Sequence, residues 1–318
     1  MRVIFYGVLL ILFALTGLAG CATWNAEKAT PMLGVRIDVD GQKIHVVDLG
    51  PRDSQKPPIV LIHGASVNLR DMKMALGDAL SADRRVILID RPGRGYSDRP
   101  SDGWRLDSQA ELIHGVVETL GVEKPIIVGQ SLGGAVALSY ALQYQDEMSG
   151  LVLLAAVSHE WPGGVAWYNS TSNIPGVGFL LRRFVIPTYG QLAADSGIEE
   201  SFAPDIAPEN YAKNIGLALL FRPKDFKSNA ADIFHLKDEI IRQQDRYGEL
   251  TLPVAIVTGL SDTTVSPDIH SKTLAGQIDG ASLTLLPDTG HALHHSETEI
   301  ILGVIERVTD GQLSGDDI

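Results

Sequence analysis

Ser131 stands in Gly129-Gln130-Ser131-Leu132-Gly133, after the apolar run PIIVGQ (125–130) and before a stretch of small and apolar residues at 132–145. A serine hydroxyl is a poor nucleophile at neutral pH. It needs a histidine to take its proton and an acid to orient that histidine. Two later apolar runs end in residues of those types. PVAIVTG (253–259) is followed by Leu260-Ser261-Asp262, and SLTLLPD (282–288) by Thr289-Gly290-His291. Ser131, Asp262 and His291 are therefore the candidate nucleophile, acid and base, in the chain order expected when a strand-to-helix turn carries the serine. Asp268 and Asp288 are the alternatives for the acid. His291, His294 and His295 also have a spacing that a metal site could use on a helix, but no further ligand is placed by sequence. No metal and no organic cofactor is expected.

A tetrahedral intermediate needs two donors for its oxyanion. The backbone N–H of Leu132, next after the serine, is one candidate. The N–H of Ala65, after the strand that ends in His63-Gly64, is the other. His63 reads as a structural residue at its turn, and His45, His114, His159, His235 and His270 as ordinary surface or core histidines.

These groups need a rigid frame. The runs PIVLIHG (58–64), RVILIDR (85–91), PIIVGQ (125–130), GLVLLAAV (150–157), PVAIVTG (253–259) and SLTLLPD (282–288) are short, β-branched and almost continuously apolar, as strands buried on both faces are. Helical patterns alternate with them, including LIHGVVETL behind a candidate capping box at Ser108–Glu111. The alternation predicts a mainly parallel sheet covered by helices on both faces. Asp40-Gly41, between alternating runs, predicts a hairpin adding antiparallel strands at one edge. Residues 158–248 interrupt the rhythm between two strands that one crossover should join. They are expected to form a cap over the site rather than an independent domain. The core is then 35–157 and 249–310, with a frayed tail at 311–318.

Small neighbours around Ser131 fit a cramped bend. Gly129, Gly133 and Gly134 leave room where strand and helix approach each other, and the helix N-terminus favours negative charge at the serine.

The chain has 318 residues and a formal net charge of −13. Acidity spread along the chain repels phosphate backbones and anionic lipid surfaces, so nucleic-acid binding is not expected. The N-terminus differs. Arg2 precedes residues 3–19, which carry no charge, and the run ends Leu18-Ala19-Gly20-Cys21. A basic residue before an apolar core is the layout of an export signal, and the ending resembles the lipobox of bacterial lipoproteins. That resemblance implies cleavage before Cys21, acylation of Cys21 and, with Ala22 next, the outer membrane of the cell envelope. Residues 1–20 would be the leader and 21–34 a polar tether. The rival is an uncleaved membrane anchor. Cys21 is the only cysteine, so no disulfide forms within one chain.

Taken together, His63–Ser66, DRPGRGYSDRP (90–100), GQSLGG (129–134), GLSDTTVSP (259–267) and DTGHALHHSE (288–297) resemble the α/β-hydrolases, from about Val35 to Val308. The resemblance implies an eight-stranded, mostly parallel sheet with a helical cap insertion. By position it gives Ser131, Asp262 and His291 as the triad, with Ala65 and Leu132 as oxyanion donors. Relatives that open epoxides or remove halogen carry aspartate where Ser131 stands, so serine implies acyl transfer to water from a small ester or acyl substrate. Carbon–carbon bond hydrolysis of a vinylogous diketone and a haloperoxidase-like reaction use the same triad and stay open, as does a non-catalytic binding protein on a degenerate hydrolase fold.

Overall fold

The computed structural model describes residues 2–313. Eight strands form one sheet: β1 (Val35–Val39), β2 (Gln42–Leu49), β3 (Ile59–Ile62), β4 (Val86–Ile89), β5 (Ile126–Gln130), β6 (Gly150–Leu154), β7 (Val254–Gly259) and β8 (Ser282–Leu286). Their spatial order is β1-β2-β4-β3-β5-β6-β7-β8. β1 and β2 run antiparallel as an edge hairpin, and β2 also pairs antiparallel with β4. The remaining neighbours are parallel. The hairpin turns at Asp40 and Gly41, both at positive φ (51° and 79°), which is why Asp-Gly serves there.

Strand side chains divide cleanly between two cores. Val60, Ile62, Ile87, Ile89, Ile127, Leu151 and Ile256 face the helices Leu106–Thr119 and Leu132–Tyr144. Ile59, Leu61, Leu88, Val128, Val152 and Val257 face the segment around Leu69–Leu80 and the helix Thr298–Thr309. Period-2 alternation with both faces apolar is what makes these runs read as continuously hydrophobic.

Between β6 and β7 the chain leaves the sheet and builds a helical layer with its own core of Leu181, Ile186, Phe202, Tyr211, Ile215 and Phe226, closed against Ala292 of the main body. Its longest element, Pro223–Gln243, starts with proline at the first turn, where a missing N–H costs nothing.

Two expectations do not hold. The helix after β4 begins at Leu106, behind Arg105, and not at a capping box on Ser108. Asp107 lies in its first turn and accepts from the Ser108 N–H, and Glu239 accepts from the Leu106 N–H, so acidic side chains take two of the free donors without a cap at Ser108. Residues 21–34, expected as a polar tether, are helical through Ala29 in one helix from Arg2. Ala26 and Thr30 are buried, Glu27 pairs with Arg222 of the cap at 2.8 Å, and the Tyr96 hydroxyl donates to the Thr30 carbonyl at 2.5 Å. A segment with this many tertiary partners docks instead of spanning space. Among the described residues, no helix is long and apolar enough to cross a membrane. The end of the expected tail, 314–318, lies outside the described residues.

Candidate active site

β5 ends at Gln130 and the next helix begins at Leu132, so Ser131 alone makes the turn. It sits at φ 54° and ψ −120°, a sparsely populated conformation for a residue with a side chain. The surroundings enforce it. Ser131 N–H donates to the Leu154 carbonyl at 2.9 Å, and the Ser131 carbonyl accepts from Gly134 at 2.9 Å and Val157 at 3.2 Å. A methyl group on Gly133 would lie 2.4 Å from the Ile62 carbonyl oxygen, and one on Gly129 would lie 2.5 Å from the Gly133 carbonyl oxygen. Only glycine lets the helix approach β3 and β5 this closely.

The other members come from the ends of β7 and β8. Asp262 is buried, and its Oδ1 accepts the backbone N–H of Thr264 and Val265, both at 2.8 Å. Its Oδ2 lies 2.7 Å from Nδ1 of His291. With one carboxylate oxygen held by the loop, the other is aimed at the imidazole, which fixes the ring and leaves the proton on Nδ1. Nε2 of His291 then carries a lone pair, and the Gln130 amide nitrogen faces it at 3.4 Å. Ser131 and His291 are 7% and 8% exposed, so the reacting groups are shielded from water. The alternatives for the acid are elsewhere: Asp268 pairs with Lys272 at the surface, and Asp288 is exposed in a turn of its own at φ 52°.

Among the described residues, the N–H groups of Ala65 and Leu132 have no protein acceptor. Leu132 is the first residue of its helix, where such donors are free by construction. Ala65 owes its orientation to its neighbours, which sequence reasoning missed. Arg91, fully buried, donates to the carbonyls of His63 (3.0 Å) and Gly64 (3.1 Å). Its backbone N–H donates to His63 Nε2 at 3.0 Å, while Nδ1 of that ring bonds the Gly64 carbonyl. Burial and the nearby Arg91 charge push the His63 imidazole down to about 3, so it stays neutral and structural. The cap completes the clamp. Asn229 accepts the Ser66 N–H at 2.7 Å and donates to the Ser66 hydroxyl at 3.1 Å, holding Ser66 at φ 62°. Asp232 accepts from Arg91 at 2.9 Å and from Arg99 at 2.7 Å. Asn229 and Asp232 are three apart on the helix Pro223–Gln243, so one face of that helix reaches both sides of the oxyanion loop.

The three C-terminal histidines do not act together. His291 turns to Asp262, whereas His294 and His295 each place Nε2 at 2.8 Å from an oxygen of buried Asp71. The Tyr211 hydroxyl donates to the same carboxylate at 2.7 Å. These ligand atoms lie within 4.8 Å of one another, but three hydrogen bonds already engage the carboxylate, and a cation bound by the two rings would have to displace the Nε2 protons that make two of them. The cluster ties the base-bearing loop, the main body and the cap together. Burial raises the Asp71 carboxyl, yet the His294 charge and the bonds from His294 and His295 outweigh it and hold the group below the usual carboxylate range. Burial, in turn, lowers His294. A depressed carboxyl contributes stability that is present above its unfolded value and lost as pH falls through the folded one. The stability difference between the protein and Asp71→Asn is thus expected to be largest near neutrality and to shrink from about pH 5 toward about pH 2, measured by urea unfolding across that range.

A family model described as the alpha/beta hydrolase fold matches residues 57–174. The 2-hydroxymuconate semialdehyde hydrolase of Pseudomonas putida is 28% identical over 286 residues, which cover 86% of this chain and 93% of that protein. Of the solved structures, an esterase from Exiguobacterium antarcticum superposes with a TM-score of 0.70 at 24% identity, covering 87% of this chain and 99% of its own. An enol-lactonase from Burkholderia xenovorans LB400 gives 0.70 at 20% identity, covering 86% and 98%.

Proposed function

Starting from its membership of the α/β-hydrolase superfamily, we propose that this chain is a serine hydrolase that cleaves carboxylic esters through an acyl-enzyme. His291 Nε2 takes the Ser131 proton as Oγ attacks the carbonyl carbon. Asp262 holds the ring and stabilises the imidazolium. The N–H groups of Ala65 and Leu132 receive the oxyanion, each donor contributing about 3 kcal/mol. Collapse expels the alcohol, protonated by His291. Water, deprotonated by the same ring, then releases the acid. The observation that carries the reading is a strained serine at a strand-to-helix turn, combined with a buried 2.7 Å Asp262–His291 pair and two unfilled backbone donors.

A second reading, hydrolysis of a carbon–carbon bond in a vinylogous diketone, is supported by the similarity to the Pseudomonas putida enzyme. Two buried arginines speak for the ester. Arg91 and Arg222 are already engaged by protein carbonyls and carboxylates, so neither is free to meet an anionic substrate. A panel of short p-nitrophenyl acyl esters beside a vinylogous diketone acid separates the two. Faster turnover of the esters, by kcat/KM, supports the first reading; the reverse order replaces it.

We further propose that the protein is exported and held to the cell envelope by a lipid on Cys21, which is exposed. The intact mass of protein extracted from membranes is expected to show a chain starting at Cys21 with added acyl groups. Cys21→Ser should abolish both the cleavage and the added mass. An unmodified chain beginning at Met1 would contradict this.

A further inference from the structure

One stretch of the cap is unlike the rest of this acidic chain. Residues 161–194 contain no Asp or Glu and two arginines, Arg182 and Arg183, in a protein with 39 acidic and 26 basic residues. Both arginines donate to backbone carbonyls, of Ser172 and Thr16, rather than to carboxylates. The same stretch exposes large apolar side chains: Trp167 at 64%, Phe179 at 59%, Val177 at 52%, Ile174 and Leu180 at 50%, and Tyr168 at 42%. They surround two short helices, Trp167–Ser172 and Val177–Leu180, which pack on each other and on Leu181–Gly190. The interior of the cap is filled by other residues, so this set is surplus to its packing. A soluble surface rarely keeps such a patch without a partner.

We infer that this face of the cap docks on an anionic lipid bilayer. Aromatic and aliphatic side chains at a water boundary suit the interfacial region of a membrane. Arg183, with no carboxylate partner among the described residues, suits its phosphate headgroups. Ala22 and Thr23, which follow Cys21, share a crevice with Pro187 of the same acid-free stretch. The inference extends the envelope-attachment reading, but it is read from a different residue and does not need Cys21 to be acylated.

The test uses the full chain and its Cys21→Ser variant, reconstituted in vesicles of phosphatidylglycerol and phosphatidylcholine that carry brominated acyl chains. Trp167 emission is taken as the difference between each protein and the same protein with Trp167→Phe. It is expected to lose most of its intensity to the bromolipid in both backgrounds. Phe179→Ser with Leu180→Ser should restore much of it without changing hydrolysis of a soluble ester. Arg183→Gln should weaken binding of the cap face to anionic vesicles about fivefold. Unquenched Trp167 beside quenched Trp24, the exposed tryptophan next to the anchor, would overturn the inference: the chain would be attached with its cap in water. A concentration-dependent blue shift of Trp167 without lipid would overturn it too, giving the face to a second copy of the chain.

Discussion

Ser131→Ala is expected to lower kcat for a p-nitrophenyl ester on the order of 10⁵-fold while leaving the fold intact. The hydroxyl is the only group at the turn that can form the acyl-enzyme, and members of a serine triad act as a unit, so losing one removes most of what all three supply. The stability effects separate two aspects of the position. Alanine keeps a side chain at φ 54° and retains the backbone strain. Ser131→Gly removes it, since glycine occupies positive φ freely. The glycine variant should therefore be more stable than the protein by about 1 kcal/mol, read as a higher Tm, and equally inactive. A glycine variant no more stable than alanine would mean that the turn holds no strain at the nucleophile.

The second large effect lies away from the reacting atoms. Asp232 and Arg91 are both fully buried and 2.9 Å apart. Asp232→Ala leaves the Arg91 charge in the interior with its main counter-charge gone, which costs about 3–5 kcal/mol and should lower Tm by roughly 10 °C. Activity should fall as well, because Arg91 is what holds the His63 and Gly64 carbonyls and so aims the Ala65 N–H. The double variant Arg91→Met, Asp232→Leu distinguishes the two roles. Apolar replacement of a buried ion pair is often neutral or stabilising, so Tm should recover while kcat stays low at unchanged KM. Full recovery of kcat together with Tm would show that the clamp serves stability alone.

Much of the frame was legible from residue patterns. Six apolar runs fell within a few residues of the strands they became, because burial on both faces leaves little choice but β-branched and aliphatic residues. The turn position of Ser131 and the pairing of Asp262 with His291 were legible because each of these residues follows a strand that ends on the same edge of the sheet. The start of the helix at Leu106 was missed, since Ser108 and Glu111 match a capping pattern that Asp107 made unnecessary. The N-terminal segment was read as a tether because its polar residues carry no trace of the cap surface they dock on. The oxyanion clamp was invisible for a related reason. Ser66 and Asn229 are 163 residues apart in the chain, and Arg91 and Asp232 are 141 apart. No local spacing records such partners, and Asp232 in isolation looks like one more charge on an amphipathic helix. The His294–Asp71–His295 cluster was out of reach for the same reason: Asp71 lies 223 residues from His294 in the chain.

The most direct measurement is reaction of the full chain with a fluorophosphonate, followed by intact mass and peptide mapping. Such reagents report an activated serine rather than an accessible one, because attack needs both the base and the oxyanion donors. The predicted result is one adduct per chain on Ser131, loss of ester hydrolysis in step with labelling, and no adduct after His291→Ala. Labelling at another residue, or hydrolysis that persists when Ser131 is fully modified, would contradict it.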